Sequence, residues 1–358
     1  MAKSSFLHRM FRPISRLTFL FTFLVILAGS VVRTTESGMG CPDWPKCFGY
    51  YIPPTDPSQV EFHANQPYTK GMMVIVNDTL WRATSSFTSK ATFERSTWEK
   101  YPKHDYAEFY VQKTWIEYIN RLLGAIMGIF VLGTVVSAFF QTHKKGLQIA
   151  LGIGVLLFTG FQAWLGALVV ASNLAPIKIT VHMLAALLLL AVIQWMIEIN
   201  SAEHRPYPRK TSDKLLLPLT LVALAFTIIQ VLIGTQVREA VDTIANEFGH
   251  EQRELWIEQL PSSFLIHRAF SLLILALSTV IVMRAKKSGI PELSRLATLS
   301  GFIVLAEVAV GLSLALFDIP KAAQPLHLVL ASMLFSAQFA ILLLLSRKSH
   351  EGSAAISK

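Results

Sequence analysis

Long apolar runs alternate with short polar connections along this chain. Residues 17–32, then roughly 118–140, 147–171, 176–197, 215–237, 263–283, 295–317 and 323–346 are strongly apolar. Runs of this kind can cross about 30 Å of hydrocarbon at about 1.5 Å per helical residue. The pattern predicts an all-α polytopic membrane protein with eight transmembrane helices and both termini on one side. The first run is short, but Arg16 and Arg33 at its ends can snorkel toward water. Residues 1–16 carry Lys3, Arg9, Arg12 and Arg16 and no acid, as a targeting or signal segment would. No small-residue cleavage pattern follows, so the run reads as an uncleaved first helix. Within the long polar stretch 34–115, Val74 to Trp81 reads as a β-hairpin turning at Asn77-Asp78. It predicts a small ordered cap over the outer face, the alternative being a solvated insertion without function.

Composition agrees with the pattern: 53% of the 358 residues are hydrophobic and 15% charged, which excludes an ordinary soluble enzyme. The net charge of +9 invites a nucleic-acid partner, but its distribution points to a lipid bilayer instead. His143-Lys144-Lys145, the stretch from Arg205 to Lys214, Arg284 to Lys287 and the tail from Arg347 all fall on the N-terminal side. The short opposite connections hold only Lys178, Asp318 and Lys321. The excess of basic residues in short cytoplasmic loops then places both termini in the cytoplasm, with 34–115 and 238–262 outside. The expected location is the bacterial cytoplasmic membrane, with the mitochondrial inner membrane as the alternative. Two cysteines, Cys41 and Cys47, cannot alone make a four-ligand zinc site, but six residues apart they can close a small disulfide loop.

The chain also repeats itself. Gly29-Ser-Val-Val-Arg33 ends helix 1 and Gly234-Thr-Gln-Val-Arg238 ends helix 5. Asn120-Arg121 opens helix 2 and His267-Arg268 opens helix 6; Gln162 and Gly166 match Glu307 and Gly311. His182 and His327 each follow their glycine by sixteen residues. Four such pairs in order predict two tandem four-helix bundles as parallel repeats. The first covers 17–200, including the outer loop 34–115, and the second 215–346. A cytoplasmic segment 1–16, a linker 201–214 and a tail 347–358 complete the division.

His182, His267 and His327 each lie in the first turns of an even-numbered helix, hence at one depth. A lone intramembrane histidine is usually a helix–helix hydrogen bond; three at one depth, two of them repeat-related, suggest a ligand. Zinc would want a fourth ligand or water, whereas facing helices with one histidine each suit haem. The second bundle offers His267 and His327, one for each face of the iron, which favours electron transfer. The first offers His182 opposite Asn120, whose amide is a poor iron ligand and leaves that face open or water-bound. Arg33, Arg238, Arg121 and Arg268 are placed to meet haem propionates, with interfacial snorkelling as the alternative for each. The other seven histidines (His8, His63, His104, His143, His204, His250 and His350) read as surface residues in loops and termini.

The outer Cys41-x5-Cys47 segment, Glu117-x-x-Asn120-Arg121 and the histidines of helices 4, 6 and 8 resemble the haem A synthase family across 17–346. Thr34 to Cys47 is the most family-like run, and much of 50–112 has no counterpart. The resemblance implies a bis-histidine haem b on His267 and His327. It also implies a substrate site for haem O, with His182 as ligand and Glu117 as the essential carboxylate; pairing with Arg121 or Arg33 is the alternative for Glu117. The implied reaction converts a ring methyl of haem O to a formyl group by two hydroxylations and loss of water, giving haem A for terminal oxidases. Asn120 departs from the family, whose better-known members have histidine there. Cys41 and Cys47 are then expected to form a disulfide, or else a redox-active pair. A haem O synthase and oxidase assembly factors are the implied protein partners, and a homo-oligomer is compatible with this reading. Two other functions compete: a bis-haem membrane cytochrome carrying electrons from quinol, and a transporter or oxidase assembly factor.

Overall fold

The computed structural model describes residues 6–102, 108–171, 176–202, 211, 213–249 and 253–346. The tail 347–358, most of the linker 201–214, Arg205, and the surface histidines His104, His204, His250 and His350 lie outside these. Among the described residues, eight helices are long and apolar enough to cross a membrane. They are α1 (Phe6–Thr34), α2 (Val111–Ala138), α3 (Lys145–Ala171), α4 (Pro176–Ala202), α5 (Leu216–Phe248), α6 (Ser262–Lys287), α7 (Pro291–Leu316) and α8 (Ala323–Leu345). The chain divides into two compact units, residues 28–125 and the remainder.

Two helices exceed their apolar runs. The first starts at Phe6 rather than at residue 17, because Phe11, Ser15, Thr18 and Thr22 form one buried stripe at helical spacing. Arg9, Arg12 and Arg16 lower the local hydropathy without breaking that stripe. The fifth helix continues past residue 237 to Phe248, carrying Val241 and Ile244 into a cluster with Trp256 and Ile319. Arg238 therefore sits inside α5 and not beyond its end, and much of the expected outer loop 238–262 is helix.

In the larger unit, α5 to α8 pack each against the next, and α8 closes back on α5. Leu216, Ile281, Leu293 and Ile341 fill one level of this bundle and Ile274, Ile303, Val304 and Leu334 another. The portions of α1 and α2 in this unit share a core with α3 and α4 built on Met127, Val131, Val155, Leu189 and Ile193. Thr18 and Thr134 join α1 to α2 through their hydroxyls at 3.1 Å. The amide of Gln194 on α4 donates to the Ser336 carbonyl on α8 at 3.0 Å. Such polar contacts between apolar helices fix register where lipid supplies no hydrophobic drive.

The smaller unit holds five short strands: β1 (Pro67–Tyr68), β2 (Met73–Val76), β3 (Thr79–Ala83), β4 (Phe87–Thr88) and β5 (Trp98–Lys100). The central sheet runs β2-β3-β5, all antiparallel, and β1 pairs with β4. Phe48, Val60, Met73, Leu80 and Tyr101 pack on one face; Tyr68, Val74, Ala83 and Trp98 pack on the other. The expected hairpin is present. Val76 pairs with Thr79, leaving Asn77 and Asp78 as a two-residue turn with φ of 49° and 53°. Two positive φ values make a type I′ turn, which favours glycine at the second position. Asp78→Gly is expected to leave the fold intact and stabilise the unit by a few tenths to about 1 kcal/mol. A lower melting temperature for this variant would contradict the assignment of the turn.

Candidate functional site

Two groups of polar residues stand out, one in each unit. In the larger unit, His267 on α6 and His327 on α8 face each other, with ring centroids 6.1 Å apart and ring planes at 73°. Each ring lies against a glycine of the preceding helix. A Cβ at Gly234 would sit 3.1 Å from His267 Cε1, and one at Gly311 3.2 Å from His327 Cε1. Both separations are too close for comfort, so only glycine leaves the rings where they are. His182 on α4 lies over Gly166 in the same way, at 3.5 Å. In the smaller unit Gly29 faces Asn120, with Oδ1 at 3.9 Å. The repeat seen in the sequence is therefore a repeat of contacts, a glycine notch receiving the polar side chain of the next helix.

One turn before three of these glycines stand Gln162, Gln230 and Glu307. Gln162 donates its amide to the His182 carbonyl at 3.3 Å, and Gln230 donates to the His267 carbonyl at 2.9 Å. Glu307 has no N–H to give. Its Oε1 lies instead 3.2 Å from Nδ1 of the His327 ring, at ion-pair distance but without the alignment of a full hydrogen bond. Gln230 was not singled out from the sequence, although the spacing Gln-x-x-x-Gly shared with Gln162-Gly166 was the signal for it. Among the described residues, the buried Nδ1 atoms of His182, His267 and His327 have no hydrogen-bond partner. An unsatisfied buried polar group costs about 1–3 kcal/mol, and of the three Nδ1 atoms only that of His327 has a described polar group, Glu307, within ion-pair distance.

In the smaller unit Glu117 is 5% exposed, and both its oxygens are engaged. The backbone N–H of Cys41 donates to Oε2 at 2.8 Å, and Arg121 Nη2 donates to Oε1 at 2.5 Å. Arg121 also donates to the carbonyls of Asp43 at 2.6 Å, Lys46 at 3.2 Å and Cys41 at 3.2 Å. These carbonyls belong to the ring closed by the Cys41–Cys47 disulfide, whose Cα atoms are 4.7 Å apart. Gly40 makes the approach possible, since a Cβ there would lie 2.6 Å from the Lys113 carbonyl oxygen. Inside the ring, burial raises the Asp43 carboxyl above the ordinary carboxylate range, opposed by the N–H groups of Gly49 and Phe48. Arg121, expected near a propionate, thus spends its guanidinium on the disulfide ring and Glu117.

The remaining arginines are spread out. Arg33 is in the last turn of α1. Arg238 pairs with Asp242 at 2.7 Å and hydrogen-bonds Gln324 on α8. Arg268 is exposed and lies over the Phe264 ring at 5.5 Å. Asn120 Oδ1 is buried without a partner among the described residues, the smaller unit's equivalent of the orphaned imidazole nitrogens. Of the histidines read as surface residues, His63 is exposed, while His8 and His143 are half-buried.

Fold and side chains define a polytopic α-helical membrane protein with repeated glycine-backed polar positions, two of them paired histidines in one bundle. The sequence model of the COX15-CtaA family, described as cytochrome oxidase assembly protein, matches residues 13–80 and 81–339. The chain belongs to that family. Among individual relatives, a "Heme A synthase" of Shewanella oneidensis is 28% identical over 219 residues, 61% of this chain and 54% of that protein. The chain thus matches about half the length of that relative. A "Heme A synthase" of Rickettsia bellii is 22% identical across 87% of this chain and 91% of its own length. One of Halalkalibacterium halodurans is 23% identical across 95% and 99%.

Proposed function

We propose that the protein is a haem A synthase of the bacterial cytoplasmic membrane. It would oxidise a ring methyl of haem O to the formyl group of haem A, which terminal oxidases use. The observation that carries the reading is the pairing of His267 and His327. Two imidazoles sharing one metal, each with a bond of about 2 Å and a ring centre about 1 Å further out, would stand roughly 6 Å apart. The observed 6.1 Å is compatible with an iron between them. The glycine notches that seat both rings support the same placement.

Haem b bound here would supply one-electron transfer, since two histidines close the iron's coordination sphere. The chain's own residues hold it: His267 and His327 as ligands, with Arg238 and Arg268 as cationic partners for its propionates. For haem O as substrate, the repeat and the family resemblance assign His182 as ligand, Arg33 as a cationic residue, and Glu117, which Arg121 orients, as the carboxylate that handles protons at the reacting methyl. That conversion is a four-electron oxidation of the methyl carbon, two hydroxylations followed by loss of one water, and it draws its oxygen atoms and its electron acceptor from outside the chain. The division into a substrate bundle (17–200) and a haem b bundle (215–346), and cytoplasmic termini, belong to the same proposal. A haem O-producing enzyme and oxidase assembly factors are the expected partners.

Pigment extracted from purified protein, expressed with and without a haem O supply, tests the reading. Haem O or haem A beside haem b is the expected result. Haem b alone under both conditions favours a quinol-linked cytochrome, and no haem at all favours a transporter or assembly factor. Glu117→Gln should keep haem b and accumulate haem O or a half-oxidised form; undiminished formyl product would remove Glu117 from the chemistry.

A further inference from the structure

Glu307 departs from its repeat partners in a way the proposed chemistry does not use. Gln162 and Gln230 occupy the same place, one turn before the glycine notch, and each donates its amide to the backbone carbonyl of the facing histidine. A carboxylate accepts but cannot donate, so Glu307 cannot make that bond. Its Oε1 lies at the ring of His327 instead, 3.2 Å from Nδ1, and its side chain is only 15% exposed. The second oxygen, Oε2, is buried with no partner among the described residues. Neither His182 nor His267 has an acid at this distance among the described ion pairs. One bundle therefore presents two unlike histidines: His267 is met by the Gln230 amide at its backbone carbonyl and, at 3.5 Å, at its ring Nε2, whereas His327 is met at its ring Nδ1 by an acid.

An imidazole ligand is tuned by what the non-ligating nitrogen meets. A carboxylate at Nδ1 orients the ring, fixes Nε2 as the free donor nitrogen and raises its basicity. Greater donation and a nearby negative charge both favour the ferric over the ferrous state. We propose that Glu307 is a positioning residue that lowers the reduction potential of the bis-histidine haem by holding the Nδ1 side of His327. This rests on the reading of His267 and His327 as haem ligands. Electrons would consequently leave this haem more readily than from one held between two glutamine-backed histidines.

The test is a redox titration of the full-length purified protein, followed by its low-spin absorbance, in wild type, Glu307→Gln and Glu307→Asp. Glu307→Gln restores the repeat's amide, which can turn to the His327 carbonyl and release Nδ1. It should retain haem with a higher midpoint. The expected change is about tenfold in the ferric-to-ferrous ratio at fixed potential, which is 59 mV for a one-electron couple. Glu307→Asp, keeping the charge on a shorter arm, should fall between. A haem-loaded Glu307→Gln protein with the wild-type midpoint overturns the inference. If Glu307→Gln cannot hold haem, the comparison moves to Glu307→Asp, and a wild-type midpoint there likewise overturns it. A wild-type protein with no low-spin bis-histidine haem overturns the underlying ligand assignment, an outcome distinct from an unchanged midpoint.

Discussion

Alanine at His327 is expected to abolish the low-spin haem spectrum of the purified protein, and alanine at His267 to do the same. The two rings stand 6.1 Å apart on facing helices, each pressed into a glycine notch that no larger residue would leave open. Removing one ring would leave an iron that is open or water-bound on that face, and neither gives the bis-histidine low-spin spectrum. Folding should survive, because both rings are only half-buried and the bundle's core layers lie elsewhere, at Leu216 and Leu293 and at Ile274 and Leu334. His182→Ala provides the contrast. It should leave this spectrum in place while lowering retention of haem O. Low-spin haem persisting in both His267→Ala and His327→Ala would exclude the pair as ligands.

Arg121→Leu is expected to have the second large effect, on stability. Four hydrogen bonds leave its guanidinium, three to carbonyls of the disulfide ring and one to Glu117. Hydrogen bonds involving a charged group contribute about 1.5–3 kcal/mol each. Removing one partner of a buried ion pair alone costs about 3–5 kcal/mol, because the other charge stays buried. Glu117, 5% exposed, is that stranded charge. The variant should melt well below wild type, and its Cys41–Cys47 bond should react faster with a thiol reductant. Arg121→Lys keeps the charge but loses the planar fork and should fall between. Wild-type melting and reduction rates in Arg121→Leu would mean that the clasp contributes nothing. The clasp also shapes how Glu117 would work. A carboxylate fixed by Cys41 N–H and Arg121 is oriented before any substrate arrives, and its orientation depends on the ring being closed.

Much of the fold was legible because its causes are local. An apolar stretch long enough to cross a bilayer forms a helix wherever it lies, since every backbone polar group must be satisfied within it. The hairpin at Asn77-Asp78 follows from a two-residue turn between alternating strands. Where hydropathy and packing diverge, the sequence misleads. Averaging over Arg9, Arg12 and Arg16 hides the buried stripe of α1, and the amphipathic extension of α5 reads as loop until Trp256 and Ile319 are seen to cover it. The histidines were legible through the repeat, but the glycines appeared only as matched letters.

From the residues alone came the eight spans, the tandem repeat, the three intramembrane histidines, and the pairing of Glu117 with Asn120 and Arg121 on one helix. Only the folded chain decided what those polar residues touch. Arg121 meets the Cys41 carbonyl across 80 positions of sequence, and Glu117 meets the Cys41 N–H across 76. No local pattern encodes contacts made at such separations. The same holds for Glu307, which the repeat aligned with Gln162 as a similar side chain. A single exchange of amide for acid removed the donor and moved the contact from a backbone carbonyl to a histidine ring.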